Sequence, residues 1–396
     1  VGGDISRPLA GGAIKLVAAF DHRDIFLDPD PDPAASFAER QRLFALPRSS
    51  WGDYDKSLIS AGGGVFSRSA KSIALSPQVQ ALLGLDKAEA TPFEVMRAIL
   101  KAPVDLLWFG GIGTYIRAST ESDEEVGDRA NDAIRVAGGD VRAKVVGEGA
   151  NLGVTQRGRI EAARHGVRLN TDAIDNSAGV NTSDVEVNIK IALRTPETDG
   201  RLAEEARNAL LADMTDEVAR LVLRNNYLQT LALSLAERRG SADLGFLRGL
   251  MEDLERAGRL DRDVEYLPTD AALVERARRG EALTRPELAV LLAYAKLSLH
   301  DQLLASRVPD DPYLARELER YFPAELRERY PDAIAGHRLR REIIATQLAN
   351  AIVNRGGPAI VTRLVDQTGA DAPVIAAAYA ATRDAYGLID LNAAVD

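Results

Sequence analysis

Residues 102–115, APVDLLWFGGIGTY, place a short apolar run directly before a cluster of glycines. The run at residues 104–108 has the length and composition of a buried β-strand, and the glycines cannot continue it. Glycine lets the backbone approach a bound phosphate closely, and in an open parallel sheet the carboxyl ends of the strands face the ligand crevice. The stretch therefore predicts an α/β fold with a ligand-binding edge.

Two similar junctions occur further along the chain. A predicted strand at residues 144–146 runs into Gly147-Glu148-Gly149, and one at residues 168–171 runs into an Asp/Asn/Ser-rich turn at residues 172–177. Gly111 and Gly113 begin like the dinucleotide-binding fingerprint but lack its third small residue. Other glycines that flank the first predicted turn are Gly2, Gly3, Gly11 and Gly12. The first glycine-rich turn and the segment that contains Gly111 and Gly113 are each a candidate nucleotide contact.

The amino-acid composition changes near residue 195, where strands and glycine clusters give way to Ala, Leu, Arg and Glu at helical spacing. We therefore predict a doubly wound (Rossmann-like) parallel sheet over residues 1–195 and an all-α domain over residues 196–396. The predicted strands are residues 13–20, 104–108, 144–146 and 168–171, and the predicted helices are residues 35–44, 92–100, 123–136 and 156–165. In the second region, Thr284-Arg-Pro-Glu287 predicts a capping box, and Asp371 predicts a helix N-cap.

Composition excludes several classes of protein. The formal net charge is -10 and the chain has no cysteine. Nucleic-acid binders normally carry a basic patch, so we expect no nucleic acid as partner. The absence of cysteine suits a reducing, cytoplasmic location. No apolar stretch reaches the roughly 20 residues that span a membrane, because Lys296 breaks the run at residues 288–299. The chain opens with Val1 and no signal peptide, and we expect it to be part of a longer polypeptide.

Asp21 ends the predicted strand at residues 13–20, about 20 residues after the first glycine-rich turn. A carboxylate at this place binds the adenosine ribose in dinucleotide-binding folds, but a carboxylate that only caps a turn fits the sequence equally well. We interpret His22 as a solvated turn residue rather than a metal ligand, because no second histidine stands at metal-ligand spacing. The Asp-rich residues 172–184 lack the arrangement of a calcium loop, and we predict no metal site.

Several long stretches resemble the large bacterial NAD-specific glutamate dehydrogenases. They are residues 16–29 (LVAAFDHRDIFLDP), 49–65 (SSWGDYDKSLISAGGGV), 102–115 (APVDLLWFGGIGTY), 144–160 (KVVGEGANLGVTQRGRI) and 170–189 (NTDAIDNSAGVNTSDVEVNI). The resemblance covers most of residues 13–195 and continues more loosely at residues 283–296 and 351–358. It implies a cofactor domain followed by a helical C-terminal region.

The resemblance also implies roles for particular residues. Glu148, Gly149 and Asn151 match the E-G-A-N motif of the wider superfamily, with Asn151 near the nicotinamide ribose. Asn176 matches the asparagine of N-A-G-G-V, near the nicotinamide carboxamide, and Ser183 matches a serine that reaches a substrate carboxylate.

Two further points follow from the same match. Asp21 matches the ribose-binding acid of the superfamily. Two departures stand out, namely a shortened glycine turn before Ala13 and Phe109 in place of an expected polar residue.

The family reaction is oxidative deamination of L-glutamate to 2-oxoglutarate and ammonium, with a hydride passing from Cα to NAD. The resemblance implies that this chain supplies the cofactor-binding part of a cytoplasmic, homo-oligomeric enzyme, and that the catalytic lysine lies in a substrate domain upstream. Lys56 and Lys71 are candidates by residue type only, and a surface or phosphate role is favoured for both. The chain alone is expected to bind nucleotide without turnover. A related amino-acid dehydrogenase and a non-catalytic nucleotide-binding regulatory module stay open as alternatives.

Overall fold

The structure, a computed structural model, describes residues 14–396. The chain forms two compact units, and the boundary along the chain falls between Asn176 and Ser177. The candidate contacts Gly2, Gly3, Gly11 and Gly12 lie outside the described residues. The compositional boundary predicted at residue 195 falls inside the helix Ser177–Thr198. The change in amino-acid composition comes later in the chain than the boundary between the two units, because the first turns of this helix are rich in Ser, Gly, Asn and Thr.

The strands of the first unit are short. In chain order they are β1 (Ala18–Phe20), β2 (Asp24–Leu27), β3 (Gly64–Ser67), β4 (Ile73–Ala74), β5 (Glu89–Ala90), β6 (Leu106–Phe109), β7 (Ile116–Arg117), β8 (Val136–Ala137) and β9 (Val145–Glu148). β1, β2 and β3 form an antiparallel sheet, and β4 pairs with β5 in the same sense. β6 pairs with β9, and β7 with β8, in parallel.

The α/β class is confirmed, but the doubly wound sheet is not. Within residues 14–396, parallel pairing is limited to these two pairs and the isolated bridges Ile116–Val154 and Val145–Arg168. The strand predicted at residues 168–171 is thus only a bridge. The prediction at residues 13–20 was wrong in extent and partner, because the chain turns back at Asp21 and β1 pairs antiparallel with β2. An apolar run fits either kind of pairing equally well.

The helices of the first unit are α1 (Pro33–Ala45), α2 (Pro77–Leu83), α3 (Pro92–Leu100), α4 (Asp123–Val126), α5 (Gln156–Arg164) and α6 (Asp172–Asp175). The predictions at residues 35–44, 92–100 and 156–165 are confirmed. The prediction of one helix over residues 123–136 was wrong, since α4 ends where Gly127 adopts a left-handed conformation with φ 74°. Glycine enters this conformation at little cost and commonly terminates helices.

The second unit is helical in every regular element. Its helices are α7 (Ser177–Thr198), α8 (Glu204–Asp213), α9 (Thr215–Arg239), α10 (Leu244–Arg256), α11 (Asp270–Arg278), α12 (Arg285–Leu304), α13 (Ala315–Tyr321), α14 (Ala324–Arg329), α15 (Pro331–Ala335), α16 (Arg340–Gly356), α17 (Ile360–Thr368), α18 (Ala372–Ala385) and α19 (Leu388–Val395). This confirms the predicted helical C-terminal region.

Local capping signals start two of these helices as predicted. The Thr284 backbone N–H donates to the Glu287 carboxylate at 2.6 Å at the start of α12, and Asp371 accepts from the Val374 N–H at 3.0 Å at the start of α18. α12 packs against α16, and Leu292 and Leu348 are fully buried in these helices. No helix among residues 14–396 has both the length and the apolar composition to cross a bilayer.

Candidate functional site

The loops that follow β6 and β9 form one surface. Because the strands are parallel and Phe109 lies opposite Glu148, both carboxyl ends meet at the same edge. The Ala150 N–H donates to the Phe109 carbonyl at 3.1 Å, and the Thr114 hydroxyl donates to the Leu152 carbonyl at 2.7 Å. The predicted glycine cluster and the E-G-A-N segment are therefore hydrogen-bonded neighbours.

The glycines of these loops differ in what they do. A Cβ on Gly149 would lie 2.5 Å from the Trp108 ring, so close packing requires glycine there. Gly113 has φ +131°, a conformation that other residues rarely adopt. Gly111 has no neighbouring atom within 4 Å of its would-be Cβ, so it faces open space. Of the three, Gly111 is the one whose surroundings leave room for a ligand.

Glu148 faces the interior. Its side chain is 1% exposed, and Arg159 binds both carboxylate oxygens, at 2.7 and 2.9 Å. The Val154 N–H donates to the same carboxylate at 3.0 Å. Burial raises the pKa of the Glu148 carboxyl, and the hydrogen bonds from Arg159 act in the opposite direction. Glu148 thus holds the loop that carries Asn151, and its cofactor contact stays a prediction.

Two aspartates continue this network. Asp172 accepts from the Leu152 N–H at 2.8 Å and lies 3.2 Å from Arg159. Asp175 accepts from the Glu148 N–H at 2.9 Å. Sequence reasoning missed the roles of Arg159, Asp172 and Asp175, because their partners are brought beside them only by the tertiary fold. Among residues 14–396, no group of three or more His, Cys, Asp or Glu could hold a metal ion.

The structure brings Asn151 and Asn176 together. The Asn176 Nδ2 donates to the Asn151 Oδ1 at 2.6 Å, across a separation of 25 residues. The same surface exposes two large apolar side chains, Ile112 at 91% and Leu152 at 62%, and Leu152 has a positive φ of 60°. Paired amides beside exposed apolar side chains form an arrangement that can bind a flat ring carrying a carboxamide.

Asp21 lies in the turn between β1 and β2. Its Oδ1 accepts from the backbone N–H groups of Arg23, at 2.7 Å, and Asp24, at 2.8 Å. These contacts are those of a turn-capping carboxylate. These two hydrogen bonds occupy only one of the two carboxylate oxygens of Asp21. A contact between the other oxygen and a ribose stays a prediction.

Three further residues were singled out in the sequence, namely Ser183, Lys56 and Lys71. Ser183 lies on α7 of the second unit, exposed, with its hydroxyl 3.5 Å from the Gly179 carbonyl, and its substrate contact stays a prediction. Lys56 and Lys71 are exposed, as a surface role requires.

Comparison with known families agrees with these motifs. Residues 4–236 match the family model for the bacterial NAD-glutamate dehydrogenase catalytic domain. Residues 280–396 match the model for the glutamate dehydrogenase C-terminal region. The first match extends through the first unit into the second, and the second match lies within the second unit.

Curated relatives are similar over nearly the whole chain. A protein of Halomonas elongata is 55% identical over 380 residues, and one of Pseudomonas aeruginosa is 54% identical over 380 residues, each covering 96% of this chain. A protein of Mycobacterium tuberculosis is 48% identical over 398 residues, covering 98% of this chain. All three are named NAD-specific glutamate dehydrogenase, and the chain spans 24% of the length of each. The chain belongs to the bacterial NAD-glutamate dehydrogenase family.

Proposed function

We propose that this chain supplies the NAD-binding part of an enzyme that oxidatively deaminates L-glutamate to 2-oxoglutarate and ammonium. The observation that carries the proposal is the hydrogen bond between Asn151 and Asn176. The resemblance assigns these residues independently to the ribose and to the carboxamide of one nicotinamide nucleoside. Residues that are to contact one small group must lie side by side, as these two do.

The two amides fit a nicotinamide. Asn176 donates through Nδ2 to Asn151, and within the described residues its Oδ1 and the Nδ2 of Asn151 form no other side-chain hydrogen bond. The amide oxygen of Asn176 and the amide NH2 group of Asn151 therefore remain, an acceptor and a donor group that complement a primary carboxamide. Ile112 and Leu152 offer exposed apolar surface for the ring. Bound NAD would supply the acceptor for the hydride that leaves substrate Cα.

The chain's own residues then act by positioning. Asn176 would fix the carboxamide and so decide which ring face meets the substrate, while Glu148 and Arg159 keep the Asn151 loop in place. Ser183 would contact a substrate carboxylate. A doubly wound sheet would include the parallel pairs β6–β9 and β7–β8, which form two separate two-stranded sheets in the structure. The complete sheet, a cytoplasmic location and a homo-oligomeric assembly are parts of this proposal.

Cofactor choice is expected to depend on Asp21. A carboxylate next to the ribose would repel a 2′-phosphate, and like charges about 4 Å apart cost about 1 kcal/mol in water and more when partly desolvated. We expect the polypeptide that contains this chain to bind NADH at least about tenfold more tightly than NADPH. Equal affinities in a fluorescence titration would remove Asp21 from the site.

The decisive experiment measures NADH formation by that polypeptide with L-glutamate, L-leucine and L-phenylalanine. Activity with glutamate alone supports the proposal. Activity with leucine or phenylalanine instead assigns a related dehydrogenase, and NADH binding without activity on any amino acid assigns a regulatory module.

A further inference from the structure

Three helices of the second unit bring together a polar cluster that we call the Lys296 cluster, formed by Ser177 of α7, Asn226 and Gln229 of α9, and Lys296 of α12. The side-chain amides of Asn226, at 2.8 Å, and Gln229, at 3.3 Å, both donate to the Ser177 Oγ. The Lys296 ammonium donates to the Oε1 of the same Gln229 at 3.1 Å. One amide therefore joins the lysine to the serine.

Lys296 is a largely desolvated lysine. It interrupts the apolar run of α12, where Leu292, Ala295 and Leu299 are buried. Desolvation lowers the pKa of Lys296 to about 7. Within residues 14–396, Lys296 forms no ion pair with a carboxylate, although desolvated charges in proteins are normally paired. The cluster has a cation and lacks an acid.

Some hydrogen-bond donors of the Lys296 cluster are not used by the hydrogen bonds within it. Ser177 Oγ accepts two N–H groups, so its own hydroxyl proton is available to an outside acceptor. The Lys296 ammonium has three N–H donors, and Gln229 accepts one of them. The missing partner is thus an acceptor with negative charge. A single cation matches a carboxylate, which carries one charge, better than a phosphate, which carries nearly two.

We propose that Lys296 and Ser177 bind a carboxylate of the substrate, with Gln229 and Asn226 holding the two donors in place. The inference rests on the proposed function, which makes the substrate a dicarboxylate. Ser177 directly follows Asn176 in the chain, and Ser183 lies further along the same helix. The Lys296 cluster therefore adds a second substrate contact that lies wholly in the helical unit.

The first test measures 2-oxoglutarate binding by calorimetry with NADH present, using the complete polypeptide. Lys296→Met removes the cation and keeps an unbranched apolar chain. The matched control is Lys190→Met, because Lys190 is an exposed lysine on α7. We expect Lys296→Met to weaken 2-oxoglutarate binding roughly tenfold or more, as expected for the loss of a charge-assisted hydrogen bond, and Lys190→Met to leave it unchanged. NADH affinity should be the same in all three proteins.

The outcomes separate this inference from the proposed function. Unchanged 2-oxoglutarate affinity in a folded Lys296→Met protein overturns the inference and leaves the proposed function standing. Failure of the unsubstituted protein to bind NADH overturns the proposed function, and the inference falls with it. Retention of binding in Lys296→Arg together with its loss in Lys296→Met supports a role for the positive charge.

A second test needs no variant. Reductive methylation with formaldehyde and cyanoborohydride modifies uncharged amines, and mass spectrometry reports the extent at each lysine. We expect 2-oxoglutarate to slow the modification of Lys296 severalfold and to leave that of Lys190 unchanged. Equal rates at Lys296 with and without 2-oxoglutarate would overturn the inference.

Discussion

Each unit of the molecule contains a buried glutamate held by an arginine, and the two pairs serve different ends. Glu148 and Glu287 are both 1% exposed, and each receives two hydrogen bonds from one guanidinium, of Arg159 and Arg276 respectively. Glu287 also caps α12 through Thr284. Glu148 instead lies beneath a loop whose exposed residues are the candidate cofactor contacts.

The difference shows why a motif does not by itself identify a ligand contact. The E-G-A-N motif suggested a cofactor contact at Glu148, yet the carboxylate is turned inward and the exposed member is Asn151. The role of Glu287 was predicted correctly because a capping box needs partners only three residues apart. The partner of Glu148 comes from the tertiary fold, which the local sequence does not report.

The largest expected effects come from breaking the two pairs. Arg159→Met and Arg276→Met each leave a carboxylate buried without its cation, which costs about 3–5 kcal/mol of unfolding free energy. Both losses should appear in denaturant titrations. As a control, Arg201→Met removes an exposed pair with Asp332 and should lower the free energy of unfolding far less than either of these substitutions.

Cofactor binding should separate the two variants. At a temperature where both remain folded, Arg159→Met is expected to weaken NADH binding because the Asn151 loop loses its support, and Arg276→Met is expected to leave it unchanged. If both variants bind NADH as the unsubstituted protein does, the Glu148 pair has no function beyond stability.

A smaller effect is expected from Lys296. Its pKa falls from 10.5 to about 7 on folding, so the unfolded chain binds more protons between these values and stability rises with pH across that window. Below about pH 7 both states are protonated and the penalty is constant. Lys296→Met should therefore raise the unfolding free energy by about 2–4 kcal/mol near pH 6 and by less near pH 9.5. A gain that is independent of pH would show that the lysine is not desolvated.

The glycines allow a test within the first unit. Gly149→Ala places a methyl group against the Trp108 ring and should cost about 1–3 kcal/mol of unfolding free energy. Gly111→Ala meets nothing within 4 Å and should change stability by less than about 0.5 kcal/mol. Weaker NADH binding by Gly111→Ala would then report a direct cofactor contact, and unchanged binding would place the cofactor elsewhere.

The sequence predicted features that depend on neighbouring residues. The helix Pro92–Leu100 and the cap at Asp371 follow from such local signals. The helix predicted over residues 123–136 was too long, because it ends at Val126, where Gly127 adopts a left-handed conformation. The helical pattern that follows Gly127 led to the longer prediction.

Features that depend on distant residues were missed. The turn at Asp21 was recognised as a turn, but the antiparallel partner of β1 was not, since pairing depends on residues brought together by folding. The roles of Arg159 and Lys296 were missed for the same reason.

The smallest effect on stability is expected from the Asn151–Asn176 hydrogen bond. The pair is exposed, so Asn151→Ala and Asn176→Ala should each lower the unfolding free energy by less than about 1 kcal/mol. A double-mutant cycle isolates the coupling between the side chains, and we expect about 0.5 kcal/mol. This value sets the purely structural contribution of the contact.

If the Asn151–Asn176 pair positions a nicotinamide, its loss should lower the catalytic rate by more than its small effect on the free energy of unfolding would suggest. Hydride transfer requires Cα and the ring within about 3.5 Å in fixed alignment, so a ring that is bound but loosely oriented reacts slowly. In the complete polypeptide, Asn176→Ala should lower kcat for glutamate oxidation by more than it weakens NAD binding, and Asn151→Ala should weaken NAD binding because it removes the ribose contact. Unchanged kcat in Asn176→Ala would reduce Asn176 to the residue that ends α6. The convergence of the two motifs would then reflect loop packing alone.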